Sequence, residues 1–157
     1  MSGNIDVYID GSFCPDTKLG GWAFVVYQDG AETESQSASA KASGNGEMEL
    51  AALCEALQWL RQQTCGPQTT IWSDSHYVVE GCNRLLKIWR SNGWKRVTAN
   101  SRERKRWIPD RHQWQVIDDD LNALSCVSIA WCKGHAEVEG NERADDLARR
   151  GALGGKT

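Results

Sequence analysis

The stretch Ile5-Asp6-Val7-Tyr8-Ile9-Asp10-Gly11-Ser12 alternates apolar and polar residues, then stops at a carboxylate followed by glycine and serine. Period-two alternation marks a half-buried strand, and a chain that opens this way has to build a sheet around it. Many strands end in Asp-Gly simply to turn, so Asp10 alone carries two readings, turn residue and rigidly held ligand. The residues downstream narrow the fold. Gly20-Gly21 leads into the apolar run 22–27, Asp29-Gly30 is a strong hairpin signal, and the return run 31–40 is polar throughout, as at a sheet edge. Three antiparallel strands therefore open the chain.

A helix is predicted over 46–63 with Asn45 as its N-cap. Glu47 and Glu49 both fall in its first turn, where the helix dipole favours negative charge. Periodicity separates them. At about 100° per residue Glu49 aligns with Leu53, Leu57 and Leu60, the stripe that must face the sheet, while Glu47 points away. A carboxylate at the end of a buried stripe is costly unless paired or metal-bound. Glu49 is thus the candidate ligand and Glu47 a solvated first-turn acid. After a break at Gly66-Pro67 comes a strand, 69–74, again ending in Asp, and a helix over 75–86 that Asp74 would also suit as N-cap. Strand–helix–strand order implies parallel pairing beside the hairpin. The helix 110–124 carries Trp114, Ile117, Leu121 and Leu124 on one face and leaves Asp118-Asp119-Asp120 on a solvated one. A strand, 127–132, leads into Lys133-Gly134-His135-Ala136. Asn141 then caps a last helix, 142–150, with Ala144, Leu147, Ala148 and Gly151 as its apolar stripe and Asp145 on the stripe's edge.

Composition enters through charge. The 157 residues carry a net charge of −3, which by itself argues against a polyanionic partner. Its distribution argues the reverse: segment 84–111 is net +8, which leaves −11 for the rest of the chain. Trp89, Trp94 and Trp107 stand among these cations. Interleaved aromatic and basic side chains contact nucleic acids, and the same tryptophans also suit packing of the segment onto a core. The six cysteines show neither C-x-x-C pairing nor zinc-finger spacing. With Met1 to Asn4 running straight into a strand and no apolar run of transmembrane length, reduced thiols and a cytoplasmic location are expected.

Four carboxylates, Asp10, Glu49, Asp74 and Asp145, emerge from strand ends or helix first turns. If they converge they repel and need divalent cations; oxygen-only ligands favour Mg²⁺ or Mn²⁺. A pair of such ions about 4 Å apart stabilises both the attacking and the leaving oxygen in phosphodiester hydrolysis.

Tyr8-Ile9-Asp10-Gly11-Ser12, Met48-Glu49-Leu50, Ser73-Asp74-Ser75, Trp131-Cys132-Lys133-Gly134-His135 and Asn141-Glu142-Arg143-Ala144-Asp145 together resemble the type 1 ribonucleases H, in order and spacing, across essentially the whole chain. The resemblance implies an α/β ribonuclease H-like fold, a five-stranded mixed sheet of order 3-2-1-4-5 flanked by helices. A catalytic domain over 1–150, with a basic protrusion at 84–111, would precede a flexible tail, 151–157. It implies a monomeric endonuclease that hydrolyses the RNA strand of RNA–DNA hybrids to 5′-phosphate and 3′-hydroxyl products, using two Mg²⁺ ions for which Mn²⁺ substitutes. Asp10 would bridge both ions, with Glu49, Asp74 and Asp145 completing the sites. His135, otherwise a surface loop histidine, would assist proton movement or product departure. Asn45 would contact the hybrid's minor groove, and Lys87, Trp89, Trp94, Lys95 and Arg96 would grip it from the protrusion. Three features depart from the family pattern: the loop 13–19 in place of a Gly- and Pro-rich one, His76 where glutamine is common, and Glu47 where arginine is frequent. The alternatives are a hybrid-binding module without catalysis, an integrase, transposase or junction resolvase on the same fold, and the ribonuclease H portion of a reverse transcriptase. The initiator Met and short ends weigh against the last.

Overall fold

In the computed structural model, which describes residues 3–63 and 68–154, β1 (Ile5–Cys14), β2 (Leu19–Gln28) and β3 (Ala31–Lys41) form the expected antiparallel meander. Asp29 and Gly30 both take positive φ, 53° and 81°, as a type I′ hairpin turn requires. β4 (Thr69–Ser73) and β5 (Val127–Trp131) add in parallel on the other side of β1, giving a five-stranded mixed sheet of order β3-β2-β1-β4-β5. This is the implied ribonuclease H-like sheet. Both ends of the divergent loop 13–19 turn out to be sheet: Phe13 pairs with Gly20 and Cys14 with Leu19, so only residues 15–18 turn.

α1 (Asn45–Arg61) covers one face, burying Leu50, Leu53 and Leu57 against Val7, Ile9, Phe24 and Ile71. Each such side chain contributes about 1.5–3 kcal/mol when fully buried. α4 (Arg111–Ala123) packs beside α1, with Trp114 and Ile117 buried. α5 (Glu139–Ala152) covers the opposite face, where Ala144 meets Val25 and Tyr27. Its backbone lies directly on β2: a Cβ at Gly21 would stand 2.0 Å from the Ala148 carbonyl oxygen. Any side chain at position 21 would lift α5 and the Asp145 it carries.

Several local expectations are corrected. The helix 75–86 extends further and changes pitch: α2 (His76–Glu80) passes through a π turn, Gly81–Leu85, into α3 (Leu86–Ser91). Ser75, not Asp74, caps α2, its Oγ accepting from the Val78 N–H at 3.3 Å. Neither Asn45 nor Asn141 is a cap. Gly44 precedes α1 without a side-chain bond, and α5 begins at Glu139, so Asn141 lies buried in its first turn. Asp118 and Asp120 are not solvated either. Asp118 accepts two bonds from Arg90 (3.0 and 2.6 Å) and Asp120 one from Arg61 (2.8 Å), because α3 and α1 close over that side of α4. Gly151 and Ala152, expected in the tail, are buried helix, and Ser39 Oγ donates to the Gly151 carbonyl at 2.6 Å. The remaining tail residues 155–157, Met1, Ser2, Cys65 and the break at Gly66-Pro67 lie outside the described residues. Among those described, no helix is long and apolar enough to cross a membrane.

Candidate active site

β1 and β4 run parallel with Tyr8 opposite Trp72. Continued two residues further, the same register brings Asp10, still within β1, beside Asp74, which lies one residue past β4. Gly11 then lets α1 approach: a Cβ there would sit 2.3 Å from the Glu49 nitrogen and 2.4 Å from the Met48 carbonyl carbon. The first turn of α1 therefore rests on the strand just past Asp10. In consequence, one carboxylate oxygen each from Asp10, Glu49 and Asp74 lie within 4.8 Å of one another. Asp10 is buried and the other two half-buried.

So close a set resists full ionisation. Burial, the Asp74 charge and the Asp145 carboxyl push the Asp10 carboxyl up to about 9, against the pull of the Gly11 N–H. Burial raises Glu49, opposed by hydrogen bonding from Ser75. Burial also raises Asp74, while hydrogen bonding from Asn141 and the neighbouring His135 draw it back. A half-buried, oxygen-only donor set that cannot carry its charges alone fits a hard divalent cation. Asp145 stands just outside the converging three. Near enough to act on both Asp10 and Asp74, it is ion-paired to Arg149 one turn along α5.

A family model for RNase H matches residues 2–153, nearly the whole chain. The chain belongs to the RNase H family. A Francisella philomiragia ribonuclease H is 35% identical over 147 residues, covering 94% of this chain and 90% of the relative. One from Pseudomonas entomophila is 31% identical over 151 residues, covering 96% and 95%. Among solved structures, LC9-RNase H1, described as a type 1 RNase H with the type 2 active-site motif, superposes with a TM-score of 0.80 at 26% identity, covering all of this chain and 75% of its own. A foamy viral protease-reverse transcriptase in complex with RNA/DNA hybrid superposes at 0.82 and 22% identity, over 96% of this chain and 20% of its own length. The last likeness is one of fold. Family membership makes the chain a ribonuclease H and sets the integrase and resolvase alternatives aside.

In this RNase H the sequence reading missed one residue at the site, Asn141. Buried in α5, its Oδ1 accepts from the Cys132 thiol at 3.7 Å, which leaves its amide for Asp74. A signal existed: Asn141 and Asp145 are four apart on one helix and so share a face. His135 sits at positive φ (56°) on an exposed loop and reaches Asp74 electrostatically. Gly134 beside it leaves room for Asp74: a Cβ there would stand 2.8 Å from Asp74 Oδ2 and displace that carboxylate.

The substrate candidates of this RNase H separate. Asn45 and Lys87 are exposed, and Lys87 has no ion-pair partner among the described residues. Trp89 is core, its ring 5.1 Å from that of Trp114, and Trp94 is half-buried against the same cluster. Lys95 Nζ lies 3.4 Å over the Trp107 ring and donates to the Lys105 carbonyl at 3.2 Å. Arg96 donates to the Trp107 carbonyl (3.3 Å) and to Glu103 (3.0 Å). Lys95 and Arg96 thus hold the protrusion together, leaving Lys87 and the exposed Arg102, Arg104 and Lys105 facing solvent.

Proposed function

We propose that the chain hydrolyses the RNA strand of RNA–DNA hybrids internally. Water attacks the phosphorus, the bond to the 3′ oxygen breaks, and the products carry 5′-phosphate and 3′-hydroxyl ends. The observation that carries this reading is the convergence of Asp10, Glu49 and Asp74 within 4.8 Å where the parallel pairing of β1 and β4 ends, in a chain of the RNase H family. Asp10, Glu49, Asp74 and Asp145 would hold two Mg²⁺ ions, or Mn²⁺ in their place, with Asp10 common to both. When bound, the ions supply Lewis-acid activation of the attacking water and neutralise charge on the leaving oxygen. Asp145 pairs with Arg149 through Oδ2 while its carboxyl also reaches Asp10.

The chain's own groups do the rest. Asn141 orients Asp74, and His135, exposed beside it, takes or hands on a proton as product leaves. Asn45, at the exposed start of α1, is set to meet the hybrid's minor groove, while Lys87 and the free arginines of the protrusion meet a phosphate backbone. Trp94, half-buried, would contribute its ring edge, and Lys95 and Arg96 their residual charge. The enzyme is proposed to act as a cytoplasmic monomer; Cys14, Cys54, Cys82, Cys126 and Cys132 carry free thiols, consistent with a reducing compartment.

Cleavage of a labelled hybrid with and without Mg²⁺, beside single-stranded RNA, double-stranded RNA and double-stranded DNA, tests the proposal. Metal-dependent cutting confined to the hybrid's RNA is expected. Binding without cutting in either metal would overturn it in favour of a non-cleaving hybrid-binding module.

A further inference from the structure

On the α5 side of the sheet, toward the start of β1, lies a cavity of about 280 Å³ that the proposed reaction does not use. Asp6 lines it, four residues before Asp10 on the same strand and hence about 13 Å away. Two of its walls are rings: Tyr8 and Tyr27 meet edge to face, centroids 5.7 Å apart at 90°, forming a corner. Trp72 stacks behind Tyr8 and donates its indole N–H to Asp6 Oδ1 at 2.9 Å, so ring and carboxylate are held together. Gly140 makes the corner possible, since a Cβ there would stand 2.1 Å from the Tyr8 ring. Gly30, at the mouth, has nothing within 4 Å of where its Cβ would be.

The field in this corner is negative. Glu139 lines it beside Tyr27, and burial together with Glu139 raises the Tyr27 hydroxyl to about 12. Among the described residues neither Asp6 nor Glu139 is ion-paired; the nearby Arg143 is engaged by Glu32 at 3.1 Å. Two aromatic rings beside two carboxylates that, among the described residues, have hydrogen-bond donors but no ion-pair partner attract a cation and repel phosphate. We propose that this corner binds an organic cation, a primary ammonium or guanidinium group on an alkyl chain. Its occupant would brace residues 138–140, the start of the helix that carries Asn141 and Asp145 to the carboxylate cluster.

A backbone-amide NMR titration of the full chain in Mg²⁺ tests this, using N-acetyl-lysine methylamide, N-acetyl-arginine methylamide, 1,4-diaminobutane and the neutral N-acetyl-norleucine methylamide. Saturable shifts centred on Tyr27, Gly30 and Gly140 are expected with the cations and not with norleucine. In the double variant Asp6→Asn, Glu139→Gln affinity should fall at least roughly tenfold, as for loss of charge-assisted contacts. Tighter binding of the amino-acid amides points to a protein-borne side chain, and tighter binding of the diamine to a free metabolite; either supports the site. Shifts that never saturate, that norleucine reproduces, or that the double variant leaves unchanged overturn it. Because no activity is read, failure here leaves the proposed hydrolysis untouched.

Discussion

The carboxylate cluster and the basic protrusion are built by opposite means. Asp10 lies within β1, Asp74 just past β4, and Glu49 and Asp145 in the early turns of α1 and α5, elements whose positions are set by buried register and by glycines that admit close approach. The protrusion between α3 and α4 has one short 3₁₀ turn, Glu103–Lys105, and a single bridge between Lys95 and Trp107. Side-chain contacts hold it: two cations over the Trp107 ring, and Arg96 on Glu103. Repelling charges brought within a few ångströms need a stiff backbone to keep them there. Exposed positive charges that are spread apart are screened by water and salt, so a loop suffices. The cluster is held by regular elements, and the protrusion, spread over a loop, would present its charges to the proposed polyanionic hybrid.

The largest effect should come from the most rigid acid. Asp10→Asn should lower cleavage on the order of 10³-fold or more, several kcal/mol of transition-state stabilisation. The same change should stabilise the metal-free protein. Asp10 has its folded value raised from 3.8 to about 9, so the folded state holds the proton more tightly than the unfolded one. That stability is complete below about pH 4 and is lost as pH climbs toward 9. Thermal melts in chelator at pH 5 and pH 8 should show wild type losing ground at the higher pH and the variant keeping it. Each 1 kcal/mol of relief corresponds to about 2–4 °C in a domain of this size. A variant melting below wild type at pH 8 would mean that Asp10 is not under repulsion.

Asn141→Ala sharpens the comparison by loosening a ligand without deleting one. Groups that orient metal ligands typically account for 10–100-fold in metal affinity or activity, so the Mg²⁺ concentration for half-maximal cleavage should rise by about that factor. An Mg²⁺ dependence identical to wild type would reduce Asn141 to a packing residue.

What the sequence reveals, and what it hides, divides along the same line. The face of α1 that holds Glu49 is a property of one helix's own period, and the parallel pairing of β4 follows from a helical connection. Both are local. Asn141 is hidden because an asparagine that caps a helix and one that bonds to a ligand from its first turn look alike in sequence. Asp118 and Asp120 are misread because the arginines that bury them, Arg90 and Arg61, come from two other elements. A tally of positive charge finds the protrusion but cannot separate cations that hold the loop from those facing solvent. The order of the five strands is not local either; it came from resemblance to a family.

That separation within the protrusion is itself testable. Lys87→Gln removes an exposed charge with no ion-pair partner among the described residues, so the slope of log binding against log salt should flatten by about 0.7–0.9 with melting unchanged. Lys95→Gln removes a ring contact as well. It should cost about 0.5–1 kcal/mol of stability, seen in melting, besides its effect on the hybrid. Equal behaviour of the two variants in both measurements would erase the distinction.

The smallest effect should come from an acid only two residues from a ligand. Glu47 sits in the first turn of α1, like Glu49, but accepts from the Ser43 N–H (3.2 Å) and Oγ (3.4 Å), tying the chain before the helix to its start. Two residues rotate the side chain by about 200°, so one carboxylate reaches the cluster while the other meets solvent. Glu47→Gln keeps an acceptor for Ser43 and loses a favourable charge at a helix start, about 0.3–1 kcal/mol at most, with cleavage close to wild type. Glu49→Gln takes an oxygen ligand from the three that converge and should cripple cleavage while the fold persists. Steady-state cleavage by the two variants, side by side, isolates helix geometry from local charge, because each removes one acid from the same turn. Inactivity of Glu47→Gln with survival of Glu49→Gln would mean that α1 presents the opposite face to the site.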